Sequence, residues 1–167
     1  MGFAFHGAGA DIGGKDSFRS GTSWELLMSS GRIFSTNIDV RFRDLDALGH
    51  VNNAVFFTYF EEGRKKFSKK FFKVSDPSDF RFIMAHIRCD YLKPVLFVDK
   101  VTLHMWVKDI GTKSFAFVYK LVHQSDESIV YATGESVQVC YDYKKNQSMA
   151  VSDEIKEKLI PYLKQSI

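Results

Sequence analysis

Cysteine, tryptophan and proline are scarce in this 167-residue chain, with two, two and three residues respectively. Cys89 and Cys140 form no C-x-x-C pair and no disulfide framework. Both fall in strand-like apolar segments, which points to buried free thiols. No apolar run approaches the ~18 residues of a membrane span. The N-terminal stretch has no basic region ahead of an apolar one, so a secretory signal is not expected. His6 stands where a myristoylation signal needs Ser or Thr. These absences predict a cytoplasmic protein without a membrane partner. An excess of one charge is also lacking. Lys and Arg total 23 against 20 Asp and Glu, a net +3, so nucleic acid is not expected as a partner.

Several catalytic signatures are missing as well. There is no G-x-S-x-G elbow, no P-loop and no H-E-x-x-H. The five histidines have no ligand spacing, and no cysteine is placed to complete a metal site. A thiolate nucleophile is not expected at either cysteine. Gly7-Ala8-Gly9-Ala10-Asp11-Ile12 has Ile where a dinucleotide fingerprint needs its last glycine, and no strand precedes it. No metal or redox cofactor is expected.

What the chain does have is phenylalanine, 16 residues of it, within an apolar fraction of 45%. That is ample for one core. Six of the 11 glycines lie before position 31, so residues 1–30 read as a flexible leader and 31–167 as the domain. Phe34, Ile38, Val40 and Phe42 predict a strand over Arg32–Arg43. After a short loop, Asn52 or Asn53 caps a helix reaching about Phe72, with Val51 stapling onto Phe56. Val55, Phe56, Tyr59, Phe60, Gly63, Phe67 and Phe71 make its apolar face. Four strands follow, at about Phe80–Leu92, Leu96–Lys108, Lys113–Gln124 and Ile129–Asp142. Their short connections predict an antiparallel meander. Ser152-Asp153 caps a last helix, Glu154–Leu163, which Pro161 bends or ends. One long helix against one antiparallel sheet is an α+β layer.

Chemistry concentrates in Asp44-Leu45-Asp46-Ala47-Leu48-Gly49-His50-Val51-Asn52-Asn53. A carboxylate, an imidazole and two amides stand just before a helix N-terminus. Unpaired N–H groups and the positive end of the dipole favour an anion there and can polarise a carbonyl. Asp, Gly and Asn also serve turns and caps. Two features favour chemistry: the loop feeds an unusually aromatic helix, and no other site competes with it.

The run from Arg41 to Phe56, continued by Phe60-Glu61-Glu62-Gly63-Arg64, resembles the signature of hot-dog-fold thioesterases, above all the 4-hydroxybenzoyl-CoA thioesterase group. Asp90-Tyr91-Leu92-Lys93-Pro94 through Asp99 resembles that group's second block. The resemblance implies a long helix wrapped by a five-stranded antiparallel sheet. It also implies edge-to-edge dimers, often paired into tetramers, with active sites at subunit interfaces. The substrate would be acyl-CoA or another acyl thioester, CoA entering only as part of it. Asp46 matches the catalytic carboxylate, a nucleophile on the thioester carbonyl or a general base for water. Asn53 matches the helix N–H that polarises the carbonyl, and Gly49 the turn glycine. His50, Asn52 and Asn53 are similar to the plant acyl-ACP thioesterase motif, which has Asn where this chain has Leu48. Asp44 falls to a structural role. Phe56, Phe57 and Phe60 would border the acyl pocket. Lys113 and Ser114 match a turn that contacts CoA phosphates, with Gly111 and Thr112 in place of its arginines. Two alternatives stay open: an acyl-ACP thioesterase, and a non-catalytic acyl-CoA-binding module, which would have no need of the Asp46 carboxylate.

Overall fold

The computed structural model describes residues 31–74, 76 and 81–164. The leader assigned to residues 1–30 lies outside them. Strand β1 (Phe34–Ile38) leads through a 3-10 turn at Phe42–Asp44 to helix α1 (Asn53–Phe71). Strands β2 (Phe82–Tyr91), β3 (Val101–Ile110), β4 (Ser114–His123) and β5 (Asp126–Asp142) follow. A two-residue strand β6 (Gln147–Ser148), helix α2 (Asp153–Leu159) and a 3-10 turn at Ile160–Tyr162 close the domain. This is the α+β layer that the sequence predicts.

The sheet departs from a simple meander. Its order is β1-β3-β4-β5-β2, with β6 pairing off the end of β5. β3, β4 and β5 run as consecutive hairpins, and β6 folds back on the end of β5. β2 crosses to the far side of β5 and becomes one edge, and β1 becomes the other. The predicted first strand is also too long. It ends at Ile38, because Arg41 and Asp44 close a capping box around the 3-10 turn. The strand expected from Leu96 starts at Val101 instead. Residues ahead of it turn at Leu96–Asp99, where the Leu96 N–H donates to the Asp99 carboxylate (2.9 Å).

Helix α1 forms where its apolar residues recur every three or four positions. Asn52 caps it, its Oδ1 accepting from the Ala54 N–H at 2.9 Å. Phe56, Tyr59, Phe60, Gly63 and Phe67 are buried on one face. Opposite them lie the inward-pointing alternate residues of β3 (Val101, Leu103, Met105, Val107) and β4 (Phe115, Phe117, Tyr119, Leu121). Pro161 ends α2 in the way its missing N–H requires.

The helix meets the sheet where Phe60 lies flat on Tyr119, with ring centroids 4.5 Å apart and planes 11° apart. Next to Tyr119 in the ladder is Gly134, which has no side chain to obstruct Phe60. The Tyr119 hydroxyl meets Ser136 Oγ and accepts from Arg64 Nη1 (3.1 Å); Gln138 donates to the same serine (3.0 Å). The fully buried polar atoms under the helix are thus paired with one another.

A methyl group at Gly134 would stand 2.5 Å from Phe60 Cε2 and 2.8 Å from the Arg88 carbonyl oxygen. Gly134→Ala should therefore cost about 1–3 kcal/mol, the range for overpacking a filled core. Urea unfolding checks this. An unchanged midpoint would mean that the helix is not seated on this glycine.

Candidate active site

Between the 3-10 turn and α1 the chain folds back on itself. The Asp46 N–H donates to the His50 carbonyl (2.8 Å), and the Gly49 N–H to the Asp46 carbonyl (3.1 Å). Gly49 has φ +78°, a left-handed conformation that glycine adopts without steric cost. The reversal turns two further N–H groups onto one carboxylate oxygen. Asp46 Oδ1 accepts from Leu48 N–H at 2.8 Å and from His50 N–H at 3.3 Å. Asp46 Oδ2 has no donor among the described residues.

Asp44, two residues earlier, lies in the opposite environment. It is 2% exposed. Its Oδ2 accepts from the Arg41 N–H (2.9 Å) and the Tyr59 hydroxyl (2.9 Å), and Arg41 Nε lies 3.2 Å from each carboxylate oxygen. Burial alone would raise the pKa of Asp44. The hydrogen bonds from Arg41 and Tyr59 outweigh burial and hold it below the ordinary carboxylate value. The Asp44 carbonyl also accepts from the Asn52 N–H (2.8 Å), tying the turn to the helix cap. Every oxygen of Asp44 is committed to structure.

Asp46 opens on a cavity of about 450 Å³ lined by Leu48, His50, Val51, Asn53 and Phe56 from the loop and first helical turn. Tyr91, Leu92, Lys93 and Pro94, at and beyond the end of β2, form the other wall. Asn53 is the first residue of α1, and its N–H has no partner among the described residues. The Asp46 carboxylate and the first residue of α1, whose N–H is free among the described residues, therefore border one cavity walled by Phe56, Leu92 and Pro94 together with Tyr91 and Lys93. That pairing can attack, or activate water toward, a carbonyl whose oxygen the N–H polarises.

Of the residues singled out from sequence, Asp46, His50, Asn53 and Phe56 meet at this cavity. Gly49 and Asn52 shape it from behind, as turn and cap. Phe57 and Phe60 are not among its lining residues; Phe60 is fully buried against Tyr119. Lys113 and Ser114 are not brought to it within one chain. Tyr91 pairs with Ala132, whereas Ser114 pairs with Val139, seven residues further along β5. At ~3.3 Å per residue that is about 23 Å. The wall from Tyr91 to Pro94 received no role in the sequence reading. Its signal was the Tyr-Leu-Lys-Pro string at the end of a strand, in the second block of the resemblance.

Residues 40–159 match the family model of the thioesterase-like superfamily. The chain is similar to the long-chain acyl-CoA thioesterase FadM of Escherichia coli, with 28% identity over 126 residues, 74% of this chain and 95% of that protein. It resembles the structure of a predicted thioesterase from Bacillus stearothermophilus at 25% identity and TM-score 0.75, covering 81% and 99% of the two chains. It also resembles a Thermus thermophilus thioesterase complexed with coenzyme A and Zn, at 29% identity and TM-score 0.67, covering 77% and 93%.

The lowered pKa of Asp44 makes a stability statement with a definite sign. A carboxyl held low in the folded state stabilises fully above its unfolded pKa of about 3.9. That contribution fades as the pH falls toward the folded value. Asp44→Asn should cost about 1–3 kcal/mol at pH 7, the price of breaking charged hydrogen bonds to buried partners. The gap to the wild type should narrow by pH 3. Urea titrations at the two pH values test this, and an equal gap at both would show that the charge of Asp44 is not what stabilises the turn.

Proposed function

This chain belongs to the thioesterase-like superfamily, and from that premise we propose that it hydrolyses an acyl-CoA to free acid and CoA at the Asp46 cavity. The observation that carries the proposal is that Asp46 and Asn53, the first residue of α1, line one cavity with Phe56, Leu92 and Pro94. The Asn53 N–H draws charge onto the thioester oxygen. Asp46 acts on the carbonyl carbon as nucleophile, or takes a proton from the water that does. As nucleophile it forms a mixed anhydride, expels the CoA thiolate and is freed by water. As base it passes from carboxylate to acid while water adds and the thiolate leaves. His50 borders the cavity and helps to order the Asp46 turn, and Phe56 stands against the acyl group. The reading calls for no metal or redox cofactor; CoA is part of the substrate. Two similar proteins bear on the carrier: FadM is named for acyl-CoA, and the Thermus thioesterase holds CoA.

The same reading includes self-association, to a dimer or a tetramer. Among the described residues β2 is an edge strand with Ile83, Met84, Ala85 and His86 exposed, and a bare edge needs pairing or cover. Antiparallel pairing of β2 with its copy would set the Phe82 end of one subunit beside the Tyr91 end of the other. Lys113 and Ser114 lie at the Phe82 end, since the Lys113 carbonyl accepts from the N–H of Cys140, the partner of Phe82. They would then reach the CoA phosphates from the neighbouring subunit. Among the described residues no helix is long and apolar enough to cross a membrane.

A thioester panel with matched CoA and carrier-protein substrates, read by thiol release, tests the proposal. The wild type should turn over acyl-CoA. Asp46→Asn should lose at least ~10² in rate, the low end for losing a general base, and should stay folded. Asp44→Asn should lose less activity than Asp46→Asn. Near-full kcat in Asp46→Asn would overturn the mechanism.

Sedimentation at micromolar concentration tests the assembly. A dimer or larger species is expected, and a fully active monomer would contradict a site completed by a neighbour.

A further inference from the structure

Tyr91 lines the cavity and touches the helix start at two points. Its hydroxyl donates to the Asn53 carbonyl at 3.0 Å. Its ring meets Phe56 edge to face, with centroids 5.1 Å apart. Asn53 and Phe56 are the first and fourth residues of α1. Tyr91 therefore grips the first helical turn at backbone and side chain. The tyrosine itself is anchored, since it ends β2 in register with Ala132 of β5. Burial, with Cys89 alongside, raises its phenol pKa above the ordinary value, so it remains a donor at neutral pH.

The residues just after Tyr91 hold the other half of the site. The Leu92 and Lys93 N–H groups both donate to the Tyr131 carbonyl, at 2.8 and 3.0 Å. Pro94 stiffens the next step. The Val51 N–H then donates to the Val95 carbonyl (2.9 Å), and His50 bridges Leu96. The Asp46 turn is thus referenced to residues 95–96, and the helix N-terminus to residue 91, on one short segment fastened to β5.

On the hydrolase reading given above, we infer that Tyr91 is a positioning residue. Its hydroxyl fixes the Asn53 turn at the spacing from Asp46 that the transition state needs. The helix start needs such a tie. Its first N–H groups are not bonded within the helix, and the Asn52 side chain caps one of them. A carbonyl held only by its helical bond leaves that turn free to tilt. Geometry of this kind is felt in turnover rather than in substrate affinity, because the N–H contact strengthens as charge builds on the oxygen.

The test is Tyr91→Phe, which keeps the ring, its packing on Phe56 and the cavity wall. The kcat for the best acyl-CoA of the panel should fall about 5- to 30-fold, short of the ~10²-fold that a 1 Å misplacement costs. KM should stay within about twofold, the pattern for an interaction realised in the transition state. The thermal midpoint should hold. Amide exchange at residues 55–57, read by NMR, should quicken, while exchange at 63–67 should not. Unchanged kcat alongside an inactive Asp46→Asn would overturn the role of Tyr91 and leave the hydrolase reading standing. A fall in kcat without quicker exchange at 55–57 would also overturn it, because the hydroxyl would then act other than through the helix turn. A wild type that cleaves no thioester would overturn the hydrolase reading, and with it the catalytic meaning of Tyr91.

Discussion

Helix α1 is seated on the sheet where Phe60 meets β4 and β5 and where Gly63 lies against Leu103 of β3. The ring lies on Tyr119 and over bare backbone at Gly134. A larger residue at 134 would lift the helix; a smaller one at 60 would leave a hole under it. With that contact set, the rest of the helix follows by its own geometry. One turn toward the N-terminus, Phe56 reaches the end of β2. Two turns toward the C-terminus, Phe67 packs between Phe34, Phe117 and Tyr162. The free N–H at the helix start therefore lies where the sheet ends, beside the turn that carries Asp46. The polar groups beneath the contact, on Arg64, Tyr119, Ser136 and Gln138, satisfy one another, so they do not oppose the helix docking.

Two aspartates two residues apart do different work because the chain turns between them. The Asp44 side chain enters the protein and meets Arg41 and Tyr59. It acts as an internal clamp whose charge is consumed by its partners. Asp46 turns outward, held by two backbone N–H groups on one oxygen. A carboxylate oriented by backbone alone keeps its second oxygen for other chemistry. Gly49 makes this possible, since the left-handed step at φ +78° turns the Leu48–His50 backbone back onto Asp46.

Much of this was legible in the sequence, for reasons tied to particular residues. Helix α1 and its cap were readable because Asn52 precedes a run whose phenylalanines recur every three or four positions. The strands β3 and β4 were readable because Val101 to Val107 and Phe115 to Leu121 alternate. The order of the sheet was not, since hairpin-like spacing says nothing of a strand that crosses to a far edge. β2 lacks clean alternation because it is an edge with a bulge between Met84 and His86. The end of β1 was overestimated because Val40 and Phe42 continue an apolar pattern that the Arg41–Asp44 capping box overrides. Asp46 and Asn53 stood out as chemistry at a helix start. Tyr91 did not, because its partner is a backbone carbonyl 38 residues away, and no side-chain pattern signals an acceptor of that kind.

The strand β2 and the loop after it unite two requirements that could have been met separately. The end of the strand places Tyr91 against the helix start, and residues 95–96 brace the Asp46 turn. Among the described residues its other side is an unpaired edge. From His86 to Tyr91 an unbroken ladder to β5 fixes the direction of the strand. Anything that pairs with this edge of β2 therefore bears on the same strand that ends at Tyr91, the residue inferred to position the helix start. On the proposed edge pairing, a second subunit would do more than bring Lys113 across. It would satisfy the exposed backbone of β2 and stiffen the strand on which the site is measured. Association and turnover would then be linked through one strand, with no change of shape needed to carry the effect.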